Sequence, residues 1–268
     1  WMSGVDGAIT FTPHTTLGAN KVANEVAIVK IIPATSYTIT NTEYLLTAGT
    51  TLNVTTAVTP VNADVASVTY SATPNTIATV ADPTQPKVKV LGSGAFNVKA
   101  VLVDGIGQTL EATKQFYGMM NIDPYVVQMS SSPTARTASV KLTGVDSGQS
   151  VDVNWGDGAV ETITAAIGKT ITHTYATDGK YQAKFYISGE VATLEHNPTG
   201  TEPAILESVI SWGNVDVKGF RLSNCTGLTS VPVVAPTFIN TMEAMFKGCT
   251  NFNGNIAGWY VGNVTSFK

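Results

Sequence analysis

Charge is what this sequence has least of. Asp, Glu, Lys and Arg make up 13% of the 268 residues, about half the share usual in a globular protein. The 15 basic residues are scattered singly, so the electrostatic footprint of a nucleic-acid-binding surface is missing. No run approaches the ~18 consecutive apolar residues of a membrane-spanning helix. The opening Trp1-Met2 is followed by no basic-then-apolar leader pattern. It reads as a trimmed start or a fragment, which leaves secretion open. Two cysteines are too few for a disulfide framework. The three histidines show no metal-ligand spacing with cysteine or with each other. No G-x-S-x-G is present to build a nucleophile elbow. Gly92-Ser93-Gly94 and Gly105-Ile106-Gly107 read as turn glycines, because neither leads from a strand into a helix as a phosphate cradle requires. The expectation is a chain without catalytic residues, cofactor or metal.

What is there favours strands. Hydrophobic residues reach 43%, and Thr, Ser, Asn and Gly cover the surface that charge does not. β-Branched Val and Thr fit a pleated, half-buried surface. Residues 1–33 read as a docking or linker segment with one candidate strand at Ala8–Thr12, and Pro33 marks its end. From 34 to 116 short alternating runs follow: Tyr37–Thr40, Thr51–Val58, Val65–Ser71, Ile77–Val80, Lys87–Leu91, Phe96–Val103 and Thr109–Phe116. Turn signals separate them, such as Thr73-Pro74-Asn75 and Asp104-Gly105. That spacing predicts a β-sandwich.

Within that stretch, Gly49-Thr50-Thr51-Leu52, Val58-Thr59-Pro60, Val68-Thr69-Tyr70-Ser71, Ile77-Ala78-Thr79-Val80 and the run Gly92–Ala100 resemble a bacterial Ig-like domain of group 2. The chain departs from that pattern at Pro83-Thr84-Gln85-Pro86, a lengthened loop that reads as decoration or a contact surface. Residues 117–133 read as a linker. A second β unit follows over 134–190. Its runs are Ala138–Leu142, Val151–Trp155, Thr172–Tyr175 and Gly179–Ile187. Trp155-Gly156-Asp157-Gly158, His173-Thr174-Tyr175 and Gly179-Lys180-Tyr181 together resemble a PKD-type Ig-like domain. Physically, the Trp is a large core anchor and the glycines permit a tight turn.

Residues 191–268 change character. Leu222-Ser223-Asn224-Cys225-Thr226-Gly227-Leu228 returns as Phe246-Lys247-Gly248-Cys249-Thr250-Asn251-Phe252, 24 residues further on. A step of that length predicts one turn of a solenoid per repeat. The run Asn240–Thr265 resembles the BspA-like, surface-protein type of leucine-rich repeat. It departs at Tyr260, where that family often carries Asp. Because a solenoid needs a cap, the chain is expected to continue past Lys268 or to be covered there by a neighbouring subunit.

Three places invite chemistry. Asp152, Asp157 and Glu161 surround the W-G-D-G turn and raise the question of a Ca²⁺ site or a carboxylate pair. A hard cation needs six or more oxygens, so the favoured reading is Asp157 bonding turn N–H groups. His173 could act as a base beside Asp157; the resemblance to a PKD-type domain implies instead a core-edge residue bonding across that turn. Cys225 and Cys249 hold equivalent, stacking repeat positions. Free buried thiols are favoured there, with a disulfide left open. The candidate ligand or partner contacts are the aromatics Tyr125, Trp212 and Tyr260, whereas Trp259 is expected in the repeat core.

The expected fold is all-β: tandem immunoglobulin-like β-sandwiches followed by a partial leucine-rich-repeat-type solenoid of strands and short helices. The resemblances imply a non-enzymatic structural or adhesive surface protein. A phage virion component, such as a head or tail fibre or decoration protein, comes first. A bacterial cell-surface adhesin and an accessory carbohydrate-binding part of a secreted hydrolase are the alternatives. The expected location is therefore the virion surface, or otherwise the bacterial surface or the secreted space. Expected partners are other virion or cell-surface proteins and host-surface glycans, with no nucleic acid. The chain is expected to be an oligomer or attached to a larger assembly.

Overall fold

A computed structural model describes residues 30–144, 149–200 and 205–267. Most of the expected docking segment, including the candidate strand at 8–12, lies outside the described residues. Among the described residues there is no helix, hence none long and apolar enough to cross a membrane. The chain divides into two compact units, with the boundary in the sequence between Gly118 and Met119.

The first unit contains β1 (Ser36–Ile39), β2 (Leu45–Thr47), β3 (Thr51–Asn53), β4 (Thr56–Thr59), β5 (Val65–Thr73), β6 (Ala78–Thr79), β7 (Lys87–Val90), β8 (Gly94–Asp104) and β9 (Thr109–Met119). They form sheets ordered β2-β9-β8-β5, β3-β7-β6 and β1-β4. Strand β8 alternates strictly, burying Phe96, Val98, Ala100 and Leu102. These join Leu52, Val88 and Val90 from β3 and β7 in one core.

The single run expected at 51–58 is two strands. It leaves β7 and joins β1, and the Asn41 side chain fills the break. That amide donates to the Asn53 carbonyl at 2.9 Å and accepts the Thr55 N–H at 2.8 Å. The loop around Pro83–Pro86 is also more than decoration. The carbonyls of Pro83 and Pro86 accept the N–H groups of Tyr70 and Val54, both at 2.7 Å. At the end of β8, Asp104 is buried and fully engaged. It accepts the N–H groups of Ile106, Gln108 and Ala34 at 3.1, 2.8 and 3.1 Å, as a buried carboxylate must.

The second unit contains β10 (Tyr125–Ser131), β11 (Thr137–Thr143), β12 (Val151–Asn154), β13 (Val160–Ile163), β14 (Thr170–Thr174), β15 (Gly179–Ile187), β16 (Thr193–His196), β17 (Leu206–Ser211) and β18 (Phe220–Arg221). Its sheets run β13-β12-β15-β10-β17 and β14-β11-β16-β18. Residues 117–133, expected to be a linker, are largely strand: β9 runs to Met119 and β10 begins at Tyr125. Strand β10 is paired antiparallel with β15 on one side and β17 on the other. Tyr125, Val127 and Met129 alternate into the core. The stretch Ser130-Ser131-Ser132-Pro133 reads as a linker, yet Ser130 and Ser131 close β10 and only Ser132 and Pro133 turn toward β11.

Nor does the core stop near residue 190. Strands β16 and β17 extend the two sheets, and one continuous apolar cluster runs from Tyr125 to Trp259. From β16 onward the backbone advances in parallel steps. Leu194 pairs with Phe220. Gly219, Thr241 and Ser266 bridge in a parallel series, from 219 to 241 to 266, in steps of 22 and 25 residues. Hydrogen bonds tie successive steps, such as Leu222 N–H to the Met245 carbonyl at 2.9 Å and Asn224 N–H to the Lys247 carbonyl at 2.7 Å. Where short helices were expected, the chain makes isolated turns. Ala244 and Gly248 take positive φ of 53° and 75°, and a left-handed residue every few positions stops a helix before it nucleates.

Tyr125 joins the sandwich to these steps. Its ring lies 5.9 Å from Phe185, 5.1 Å from Phe220 and 6.0 Å from Trp212, the last pair stacked. Truncation to Tyr125→Ala is expected to destabilise the second unit by about 3–5 kcal/mol. Urea unfolding followed by tryptophan fluorescence measures this, since Trp155, Trp212 and Trp259 are all in that unit's core.

The Tyr125 hydroxyl shares a 3.0 Å hydrogen bond with Nε2 of His196, itself fully enclosed. Burial pushes the His196 ring down to about 3. The unfolded chain takes up this proton near pH 6.5 and the folded one does not. Stability present above pH 6.5 should therefore fall as pH drops toward 3, at up to roughly 1.4 kcal/mol per pH unit. Unfolding curves at pH 7, 6 and 5 should show the decline in the native chain and a flatter profile in His196→Gln.

Candidate functional site

Strand β12 carries Val151 and Val153 into the core and delivers Trp155 at its end, fully buried and edge-on to Phe185 at 5.5 Å. Its indole N–H donates to Glu161 Oε1 at 2.8 Å, and its carbonyl accepts the Tyr175 hydroxyl at 3.0 Å. The turn that follows is held by short side chains, as its sequence dictates. Asn154 accepts the Gly156 N–H at 2.9 Å, and Asp157 Oδ1 accepts the Ala159 N–H at 3.0 Å. Asp157 Oδ2 lies 2.7 Å from His173 Nε2. Burial works against the charged form of Asp157, but the Ala159 N–H and His173 outweigh it and hold the carboxyl below its usual range. The His173 ring also stacks on Trp155 at 4.8 Å.

Asp152 is turned elsewhere. It is fully buried in β12 and accepts the Met120 N–H at 3.0 Å and the Thr162 hydroxyl at 2.8 Å. The three carboxylates that flank this turn in sequence thus face three different sets of donors. Among the described residues, no group of three His, Cys, Asp or Glu side chains is placed to hold a metal ion. The motif braces a turn. Gly156 sits at φ +87°, and a Cβ there would come 2.6 Å from the Gln182 carbonyl oxygen. Gly156→Ala should cost at least about 2 kcal/mol, read as a lowered urea midpoint for the second unit.

Two of the three aromatics expected at a binding surface are inside. Tyr125 has no exposure and Trp212 has 6%. Period-2 alternation in β10 points Tyr125 inward, and Trp212 packs on Phe220 at 4.7 Å. Neither offers a free ring face to a ligand. Trp259 is also buried. Tyr260 is the exception, 74% exposed. Its ring lies over Gly262, where any side chain would displace it.

Trp212 and Tyr260 nevertheless border one surface. The indole N–H groups of Trp212 and Trp259 donate to the carbonyls of Val234 and Pro232, both at 3.0 Å. The segment between two prolines is clamped by its backbone, which leaves Val233 and Val234 pointing outward at 65% and 69% exposure. Shallow hollows flank it. One is bounded by Gly258, Tyr260 and Asn263, the other by Ile210, the edge of Trp212 and Gly213, and both share Val234, Ala235 and Thr237. No Asp, Glu, Lys, Arg or His lines either hollow. The surface suits apolar contact, ring stacking and a few neutral hydrogen bonds through Thr237, Asn263 and Ser211. The run Val231-Pro232-Val233-Val234-Ala235-Pro236 was its signal in the sequence: apolar, proline-bounded and without an alternating partner.

No protein-family model matches the chain, and no curated protein matches it. Among solved structures it is similar to the fibronectin(III)-like modules of Clostridium thermocellum CbhA, at 17% identity. That likeness covers 60% of this chain and 90% of the other, with a TM-score of 0.27. At that score too little backbone superposes for anything to transfer between the two.

Proposed function

We propose that this chain is a non-enzymatic structural and adhesive surface protein, in which Ig-like modules display a repeat coil and the coil makes the contact. The observation that carries this reading is the exposed, charge-free surface around Tyr260 and Val234. Contiguous exposed apolar surface of this kind marks interaction sites on soluble proteins. The parallel steps of 22 and 25 residues support a coil of the BspA-like type. The two-sheet packing around Trp155 supports an Ig-like module of the PKD type. The side chains at the W-G-D-G turn are committed to the fold, which favours display over catalysis. The setting we favour is a virion, with this chain as a fibre or decoration protein, because a charge-poor, Thr-rich composition suits a particle exterior.

The ligand class this surface fits is a neutral glycan or an uncharged protein face. Labelled protein should bind neutral oligosaccharides or whole bacterial cells. Tyr260→Ala should weaken that binding about tenfold or more with an unchanged melting temperature. No binding to either target, or full binding by Tyr260→Ala, would overturn the contact assignment. Co-purification from the native source decides the setting. Capsid or tail proteins in the same particle support the virion reading, and recovery with the bacterial envelope replaces it with an adhesin.

A further inference from the structure

The two cysteines lie on neighbouring steps of the second unit. Asn224 N–H donates to the Lys247 carbonyl at 2.7 Å, and Leu222 N–H to the Met245 carbonyl at 2.9 Å. Asn224 and Gly248 match across these steps, both with positive φ, and the Asn224 side chain packs against Gly248. Cys225 and Cys249 are the next residue on each. Adjacent β rungs are separated by about 4.8 Å, inside the Cα–Cα range that a disulfide spans. The Cys249 thiol already reaches across the gap. It donates to the Leu222 carbonyl at 2.9 Å, and the backbone N–H of Cys225 faces its sulfur. Both thiols are free in the structure, Cys225 fully buried and Cys249 half-buried.

We propose that Cys225 and Cys249 form a disulfide that staples the two steps when the chain meets an oxidising setting. Their environments divide the roles. Cys249 is the thiol that solvent reaches. Cys225, walled off by burial that pushes it up to about 12, is the resolving partner. A low-molecular-weight disulfide is the oxidant. The Cys249 thiolate attacks one of its sulfurs, forms a mixed disulfide and releases one small thiol. The Cys225 sulfur, losing its proton, then attacks the Cys249 sulfur and expels the second small thiol. Two protein thiols are oxidised and one small disulfide is reduced to two thiols. The bond closes a loop of about two dozen residues in the unfolded chain, and restricting a loop of that length stabilises the folded state in the chain-entropy model.

The test is oxidised glutathione added to the full native chain, followed by intact mass and a non-reducing peptide map. The expected product has lost two hydrogens, carries no glutathione, and yields a linked Cys225–Cys249 peptide. Its melting temperature should rise by about 5–10 °C and fall back on reduction. Cys225→Ala should stop at the glutathione adduct on Cys249. Cys249→Ala should remain unmodified, because its one remaining thiol is buried. A wild-type chain that keeps the adduct, or that links its cysteines only after denaturation, overturns the proposal. Glycan and cell binding are separate readouts, so this pairing can fail while the proposed function stands.

Discussion

The second unit depends on one requirement: a stack of parallel steps must bury its apolar side against something. Here the sandwich supplies that surface, and Tyr125 is where they meet. Its ring touches Phe185 of the sandwich and both Phe220 and Trp212 of the steps. Aromatic pairs at these separations add to the gain from burial alone. The hydroxyl is provided for as well, through His196. With sandwich and steps sharing one core, neither half of the second unit is a finished object without the other. The sequence change near residue 191 therefore marks a change of architecture within one core.

Alternation along strands was the most readable signal. Residues 94–104 and 179–187 present their apolar sides as the period of two requires. The turn chemistry of Asn154, Gly156 and Asp157 was readable too, since each residue acts on its own neighbourhood. What local patterns do not carry is sheet membership. The stretch at 125–131 alternates as cleanly as its neighbours, but the serines that close it and the Ser132-Pro133 that follows resemble a tether. Only long-range pairing with β15 and β17 makes it a central strand. The break at Val54-Thr55 was hidden for the same reason, because the cue is the side chain of Asn41, a dozen residues earlier.

The repeat was readable where it recurs and not where it begins. Asn224-Cys225-Thr226-Gly227 has an antecedent in Asn197-Pro198-Thr199-Gly200, and Asn197 shares the positive φ of Asn224. The proline and a longer step obscure the match. Among the candidate contacts, Tyr260 sits outside and Tyr125 and Trp212 inside. Residue type alone does not separate those outcomes, since all three rings are large and carry one polar atom. Neighbours do: Tyr125 lies in an alternating strand, whereas Tyr260 stands between two glycine-bearing turns. Two indole N–H groups hold the 232–234 backbone while Val233 and Val234 face outward, an arrangement that hydrophobicity alone does not predict.

The position of β10 also has a mechanical meaning. It is the first strand of the second unit, so tension arriving along the chain from the N-terminal side enters there. The strand is bonded antiparallel on both sides, over seven residues with β15 alone. Ladder bonds lie perpendicular to their strands, and a pull along β10 therefore loads both ladders in shear, many bonds at once. A strand at the rim, bonded on one side, would instead peel from its end. The segment that reads as a tether is a strand held on both sides, arranged to carry force rather than to slacken under it.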